Sequence, residues 1–171
     1  MHQPKANRCR GLVFLMLISG IVHALATDKE QPIQVFADSA NLSQKEHQGI
    51  YTGNVQFNQG STHIRADNAI TKVTDKNQLT LAIANGSKNN QAHYWAETEA
   101  NKPPLHAYAD SIRYYPQRHL IELKGAARVV QGNNSFSAAI ITYDTIKQHV
   151  VSQSEGTLRT NIIIYPEKKL L

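Results

Sequence analysis

Apolar and polar residues alternate with a period of two in several separate stretches of this chain. The clearest stretches are Ile33–Asp38, Tyr51–Asn58, Leu79–Ala84 and Ile121–Val130. No helical periodicity is sustained after residue 27. Because successive side chains of a strand point to opposite faces, this pattern predicts sheets with one apolar and one polar face.

Turn-forming residues separate these stretches at intervals typical of an all-β domain. Clusters of Gly, Asn, Asp and Ser occur at 59–61, 75–77, 85–87 and 131–134. Many short strands at regular spacing predict a sandwich, a barrel or a jelly roll. The length of the chain suits one such domain.

The chain also contains an internal repeat with a constant offset of 72 residues. The matched segments are Phe36-Ala37-Asp38-Ser39 with Tyr108-Ala109-Asp110-Ser111, Gly53 with Gly125, Gln59-Gly60 with Gln131-Gly132, and Ala66 with Ala138. The apolar positions of the two copies coincide, and a slip of one residue would reverse their faces. The repeat therefore predicts two similar β layers that bury their apolar faces against each other, with a loop toward Pro103-Pro104 between the halves.

The N-terminus has the composition of a secretory signal peptide. Lys5, Arg8 and Arg10 precede an apolar run from Gly11 to Val22, which ends at Ala24-Leu25-Ala26. The run is shorter than the roughly 20 apolar residues that cross a bilayer. We expect residues 1–26 to be removed and residues 27–171 to form a single β-jelly-roll domain. The alternative is an uncleaved anchor.

Removal of this segment changes the charge and the cysteine content. Three of the eighteen basic residues and none of the thirteen acidic residues lie in it, so the net charge falls from +5 to 15 − 13 = +2. A surface this weakly basic argues against a nucleic-acid partner and is compatible with an anionic amphiphile. Cys9 would leave with the segment, and residues 27–171 contain no disulfide or thiol nucleophile.

No motif for catalysis or for metal binding is found. His93 and His106 could face each other across the loop between the halves and bind zinc. The favoured interpretation is that they are ordinary strand or surface histidines. Asp38, Asp67 and Asp110 each follow an alanine, and we assign them structural roles at strand ends. No catalytic residue, metal ligand or cofactor is therefore predicted.

Pairs of aromatic residues occur at Tyr94-Trp95 and Tyr114-Tyr115. They could stack on sugars, but packing at the rim of the domain is the simpler interpretation.

Four short motifs carry a resemblance to a known family. They are Gln31-Pro32-Ile33-x-Val35-x-Ala37-Asp38, Tyr51-Thr52-Gly53-Asn54-Val55, Gln59-Gly60, and Ile64-x-Ala66-Asp67. The chain resembles the organic-solvent-tolerance (OstA-like) family, and most closely its small periplasmic members, from about Gln31 to Tyr165. In the second half Gly125-Ala126-Ala127 replaces G-N-V, and Ala138-Ala139 replaces A-D.

The resemblance implies a fold and a function. The fold is a twisted antiparallel β-jelly roll that is open along one side. Members of the family hold the acyl chains of lipopolysaccharide between two apolar layers. They stack head to tail into a periplasmic bridge between inner-membrane and outer-membrane transport components.

We expect the inward apolar side chains to line an acyl-chain groove, because each buried methylene contributes about 0.8 kcal/mol. The expected groove residues are Ile33, Val35, Tyr51, Val55, Phe57, Ile64, Leu79, Leu81, Ile83, Leu105, Ile112, Leu123, Val129, Phe136 and Ile140. The competing interpretation is that they form an ordinary closed core.

The first and last strands are expected to be the outermost ones. An unpaired strand edge invites another strand, and strand addition between copies propagates as a filament. The expected edge residues are Pro32, Ile33, Gln34, Val35, Phe36 and Ala37 at one end, and Asn161, Ile162, Ile163, Ile164 and Tyr165 at the other. The alternative is that the C-terminal segment is paired inside the domain.

Three other functions are weighed against lipid carriage. A ligand-free structural scaffold would have a fully packed interior. A membrane-anchored inner-membrane partner of the same pathway would retain the apolar run Gly11–Val22. An enzyme on this scaffold would need acidic or histidine residues in the groove, and the inward positions are almost wholly apolar.

Overall fold

The computed structural model describes residues 31–87, 89–98, 101–144, 146–147, 149–157 and 159–166. The expected signal peptide and Cys9 lie outside these described residues. The strands are β1 (Gln34–Phe36), β2 (Ser39–Ser43), β3 (Gln48–Gln59), β4 (Thr62–Val73), β5 (Leu79–Asn85), β6 (Ala92–Ala96), β7 (Leu105–Ala109), β8 (Ser111–Tyr115), β9 (Leu120–Gln131), β10 (Asn134–Asp144), β11 (His149–Gln153) and β12 (Asn161–Ile163). A 3₁₀ turn at Pro116–Arg118 connects β8 to β9. Among the described residues, no helix has the length and apolar character needed to span a membrane.

The twelve strands form one antiparallel sheet that folds into two layers, because β3, β4, β9 and β10 each pass through both. The first layer has the order β1-β3-β4-β6-β7-β9-β10-β12. The second layer has the order β2-β3-β4-β5-β8-β9-β10-β11. The predicted all-β, antiparallel, jelly-roll architecture is confirmed.

Each long strand changes partners near its middle, where the backbone departs from extended geometry. In β3, Gly53 and Asn54 have φ values of 79° and 48°, and the pairing with β4 shifts between Thr52 and Val55. In β9, Gly125 and Ala126 have φ values of 83° and 43°. Bulges of this kind bend a strand and increase its twist, which directs its two halves into different layers.

The two repeats share both layers. The first repeat contributes β1, β3, β4 and β6 to the first layer and β2, β3, β4 and β5 to the second. The expectation that the two repeats form the two layers is therefore wrong in this respect. The physical reason is that the glycine shared by the two repeats, Gly53 or Gly125, turns its strand from one layer into the other.

The centre of the core is built mainly from alanine. Ala66, Ala92, Ala109, Ala127 and Ala138 are each at most 6% exposed and lie beside the partner changes. Small side chains let the backbones of the two layers approach closely at this line, which we call the apex. Larger apolar residues, such as Ile112, Leu123 and Ile141, pack against it from the second layer.

Candidate functional site

A continuous row of apolar side chains crosses the inner face of the first layer, and each strand of the layer contributes one residue to it. Residues that stand directly opposite each other in neighbouring strands share a face of the sheet. The strand registers place these residues in line: Val35, Phe57, Ile64, Tyr94, Ala107, Val129, Phe136 and Ile162. The whole row faces the second layer.

Exposure increases from the apex to this row. At the apex, Val55 is 1% exposed, whereas Phe57, Ile64, Val129 and Phe136 in the neighbouring row are only partly buried. The rings of Tyr51, in the second layer, and Phe57, in the first, meet edge to face with centroids 5.5 Å apart. The two layers thus pack tightly at the apex, and the apolar side chains between them become more exposed farther out. We call this partly exposed apolar region between the layers the slot.

The slot is uncharged. The row of inner-face residues described above contains no Asp, Glu, Lys, Arg or His. On the second layer, Tyr114 and Tyr143 share the inner face, and burial raises the pKa of both phenols, so both remain neutral at physiological pH. An uncharged, partly accessible apolar surface favours hydrocarbon over a polar ligand.

Most of the expected groove residues lie on the inner face. They are Val35, Tyr51, Val55, Phe57, Ile64, Leu79, Leu105, Ile112, Leu123, Val129 and Phe136. Val55, Leu105, Ile112 and Leu123 are at most 5% exposed, so they form the base of the slot and not its accessible wall. Ile33 precedes β1 and is 62% exposed, at the edge of the first layer.

The expected inward positions of Leu81, Ile83 and Ile140 are wrong. The β4–β5 pairing shifts beside Val73, so Leu81 and Ile83 point outward while Ala82 and Ala84 point inward. These alanines fit because the layers are close together there.

Ile140 lies opposite a bulge in the neighbouring strand β9, at Gly125 and Ala126. The pairing with β9 shifts between Ala138 and Ile140, so that Ala138 and Ile141 are both buried in the core. Ile140 consequently stands opposite Lys124 on the outer face.

Sequence reasoning also missed several inner-face residues. Tyr94, Ile121, Tyr143 and Val150 belong to the core or pack against it. The alternation of Ala92, Tyr94 and Ala96 with more polar residues is the sequence signal for β6.

The edges of both layers carry most of the exposed large apolar side chains. Phe36 in β1 is 56% exposed and Leu42 in β2 is 71% exposed. At the opposite edge, Ile162 and Ile163 in β12 and Val151 in β11 are between 44% and 50% exposed. β1 pairs only with β3, and β12 only with β10, so both terminal strands are outermost in the described part of the first layer.

The two histidines considered as zinc ligands, His93 and His106, lie on the outer face of the first layer. His93 Nε2 is 3.0 Å from His106 Nδ1, so the two do face each other. The described residues contain no group of three or more His, Cys, Asp or Glu side chains suited to a metal ion. Trp95 also lies outside, stacked between His63 and His93, whereas Tyr94 faces the slot.

Comparisons with known proteins agree with this geometry. Residues 34–149 match the model of the family described as the LptA/LptD N-terminal domain of lipopolysaccharide transport proteins. The chain belongs to this family.

Three relatives illustrate the match. The lipopolysaccharide export system protein LptH of Pseudomonas aeruginosa is 34% identical over 158 residues, covering 88% of this chain and 89% of the relative. LptA of Haemophilus influenzae is 24% identical over 164 residues, covering 95% and 94%. The crystal structure of LptH from P. aeruginosa, titled as the LptA-homologous periplasmic component of the lipopolysaccharide transport device, aligns with a TM-score of 0.71 at 29% identity, covering 82% of this chain and 99% of that one.

Proposed function

We propose that this protein carries lipopolysaccharide through the periplasm, with the acyl chains in the slot and the saccharide in water. The uncharged inner face, with the partly exposed residues Phe57, Ile64, Val129 and Phe136, is the observation that carries this proposal. The names of the relatives, which are lipopolysaccharide export proteins, support the choice of lipid.

The slot suits acyl chains because the binding affinity can come from the burial of apolar surface area alone. Each methylene removed from water contributes about 0.8 kcal/mol, so a few acyl chains bind without any specific polar contact. Nonspecific contacts also let a lipid slide from one subunit to the next. We therefore assign the protein a carrier role without catalysis or a cofactor.

Neighbouring residues on β9 provide a matched test. Val129 faces the slot, and Val130 is its outward neighbour on the same strand. A photo-crosslinking amino acid at position 129 should attach to lipopolysaccharide in cells and with purified protein, and the same amino acid at 130 should not. Equal labelling at both positions, or none at 129, would exclude carriage in the slot.

We further propose that copies assemble head to tail through the strand edges. Each layer has eight strands in alternating directions, so its first and last strands run in opposite directions. A translated second copy therefore adds β1 to β12 antiparallel in the first layer, and β2 to β11 antiparallel in the second. The exposed apolar side chains of Phe36, Leu42, Val151 and Ile162 would be covered by the same contact, and the two slots would become continuous.

Single cysteines can test the polarity of this contact, since residues 27–171 contain none. Val35→Cys marks one edge and Ile162→Cys the other, both on the inner face. A mixture of the two variants should form disulfide-linked dimers, and each variant alone should not. Dimers of Val35→Cys alone would instead indicate a head-to-head contact and contradict the proposal.

The location and the processing of the chain follow from the same function. We propose that residues 1–26 are removed on export and that residues 27–171 work in the periplasm, between inner-membrane and outer-membrane transport components. N-terminal sequencing of the exported protein should give Thr27 as the first residue. Retention of Gly11–Val22 would indicate an anchored relative instead.

A further inference from the structure

A second cleft lies on the outer face of the first layer, behind the slot. It forms where β4 changes partners, because Arg65 pairs opposite His93 in β6 while Asn68 pairs opposite Asn85 in β5. Ala66 and Asp67 lie between these two paired segments of β4. The cleft has a volume of about 690 Å³ and is lined by Asn54, Val55, Gln56, Arg65, Ala66, Asp67, Asn89, Asn90, Gln91, His93 and Tyr108. We call it the outer cleft.

The outer cleft contains polar groups with unused hydrogen-bonding capacity. Arg65 is exposed, with its guanidinium carbon 5.3 Å from the centre of the Trp95 ring, and it forms no ion pair within the described part of the chain. Gln56 and Asn89 have no side-chain hydrogen bond to any described residue. One cation and two amides are thus available to a ligand.

The surrounding groups hold the walls in place. The Asn90 side chain donates to Asp67 Oδ1, and Gln91 Nε2 donates to Asp110 Oδ1 over 3.1 Å. His93 and Tyr108 form a stacked end wall, with ring centres 4.3 Å apart and planes 6° apart. Burial, together with the neighbouring His106 and Arg65, lowers the pKa of His93 to about 4, so this wall is neutral at physiological pH.

The second repeat lacks the two charged groups of this cleft, Arg65 and Asp67. With the offset of 72, Arg65 corresponds to Ser137, and Asp67 corresponds to Ala139. The inward residue Ile64 corresponds to Phe136, which remains apolar. The architecture is therefore built twice, but Arg65 and Asp67 occur once, so the second repeat forms the same change of layer without these two charged groups.

We propose that the outer cleft binds a saccharide that carries a phosphate or a carboxylate group. Amide side chains and a carboxylate suit sugar hydroxyls, flat rings suit the face of a sugar, and an unpaired arginine suits an anion. A volume of about 690 Å³ lies within the range of small-molecule sites, and its polar lining disfavours an apolar ligand. Val55 and Ala66 have inward side chains that are 1% and 6% exposed, so they separate the cleft from the slot, and both can be occupied together.

The proposal can be tested by nuclear magnetic resonance titration of residues 27–171. Glucose 6-phosphate and glucuronate serve as the two charged probes, and glucose and inorganic phosphate serve as the matched uncharged and sugar-free probes. At least one charged sugar should shift the amides of Gln56, Asn89 and His93 saturably, at least about tenfold more tightly than glucose or phosphate. That ratio corresponds to one charge-assisted hydrogen bond. The probe that binds identifies the anionic group.

Two arginine variants make the test specific. Arg65→Gln should weaken binding of the charged sugar about tenfold or more. Arg159→Gln removes an exposed arginine that does not line the cleft and should leave binding unchanged. The proposal is overturned if no probe gives saturable shifts, if phosphate alone binds as tightly as the charged sugars, or if both variants weaken binding equally. These outcomes are independent of crosslinking at Val129, so failure here leaves lipid carriage in the slot untouched.

Discussion

Gly53 lies directly against the side chain of Asp38, and the backbone N–H of Asp38 donates a hydrogen bond to the carbonyl of Gly53 over 2.9 Å. A Cβ atom on Gly53 would stand 2.9 Å from the Cβ of Asp38 and would overlap its carboxylate. Asp110 and Gly125 repeat this contact, with a backbone hydrogen bond of 3.0 Å. The A-D-S and glycine motifs of each repeat therefore form one unit that turns the strand between layers.

Gly53→Ala should destabilise the protein through both strain and overlap. A positive φ costs a non-glycine residue about 1–2 kcal/mol, and overpacking adds about 1–3 kcal/mol. Gly156→Ala is the control, because Gly156 has a φ of 59° but nothing within 4 Å of the added Cβ. Urea unfolding should show a clearly larger loss for Gly53→Ala, and Asp38→Ala should relieve part of it. Equal losses for the two glycine variants would refute the overlap.

The strands and turns were predictable from the sequence because alternation and turn residues act locally. The inner face was predictable where a strand is regular, as for Val35, Phe57 and Val129. It was not predictable at Ile140, because the register of β10 there depends on the bulge at Gly125 and Ala126 in the paired strand β9. Nor was it predictable in β5, where alanines face inward since the two layers approach closely, an effect that only the assembled sheet produces.

Two adjacent isoleucines on β10 test this correction. Ile141 is 3% exposed in the core, whereas Ile140 stands on the outer face. Ile141→Ala should lower the free energy of unfolding by about 2–4 kcal/mol. Ile140→Ala should lower it by about 1 kcal/mol or less, the range of strand propensity. Chemical denaturation of both variants gives the comparison, and a larger loss at position 140 would restore the original assignment.

At the second glycine bulge, Gly125 and Ala126, a glutamine side chain takes the place of the asparagine found in the first repeat. In the first repeat, Asn54 Nδ2 donates to Asp38 Oδ2 over 2.9 Å. In the second repeat, Ala126 takes this position, and Gln91 instead donates to Asp110 Oδ1 and lies 3.3 Å from the carbonyl oxygen of Ala126. Ala126 also keeps a φ of 43°, which Asn tolerates better than Ala.

Gln91→Ala should therefore destabilise the protein by about 1 kcal/mol, the usual value of a hydrogen bond. Ala126→Asn should stabilise it by about 0.5–1 kcal/mol and should compensate for Gln91→Ala in the double variant. The control is Gln117→Ala, at an exposed position in the 3₁₀ turn. Thermal and urea unfolding measure all four variants. Additive effects without compensation would show that Gln91 does not replace the asparagine.

The histidine stack on the outer face should make stability depend on pH. His93 is packed among His106, Trp95, Tyr108 and Arg65, and burial, followed by the electrostatic effects of His106 and Arg65, lowers its pKa from 6.5 to about 4. Because the unfolded chain takes up this proton at a higher pH than the folded one, the contribution of His93 should lower stability as pH decreases from about 6.5 to 4 and should be constant below that range. Since the group is partly exposed, screening reduces the effect to about 1 kcal/mol.

Unfolding measured at pH 7, 5.5 and 4 tests this expectation. His93→Gln should flatten the profile between pH 6.5 and 4, since it removes the group that is neutral in the fold and charged in the unfolded chain. His149→Gln, at an exposed position in β11, should leave the profile as it is in the wild type. The stack would not be the origin of the pH dependence if both variants showed the wild-type slope, or if His149→Gln alone removed it.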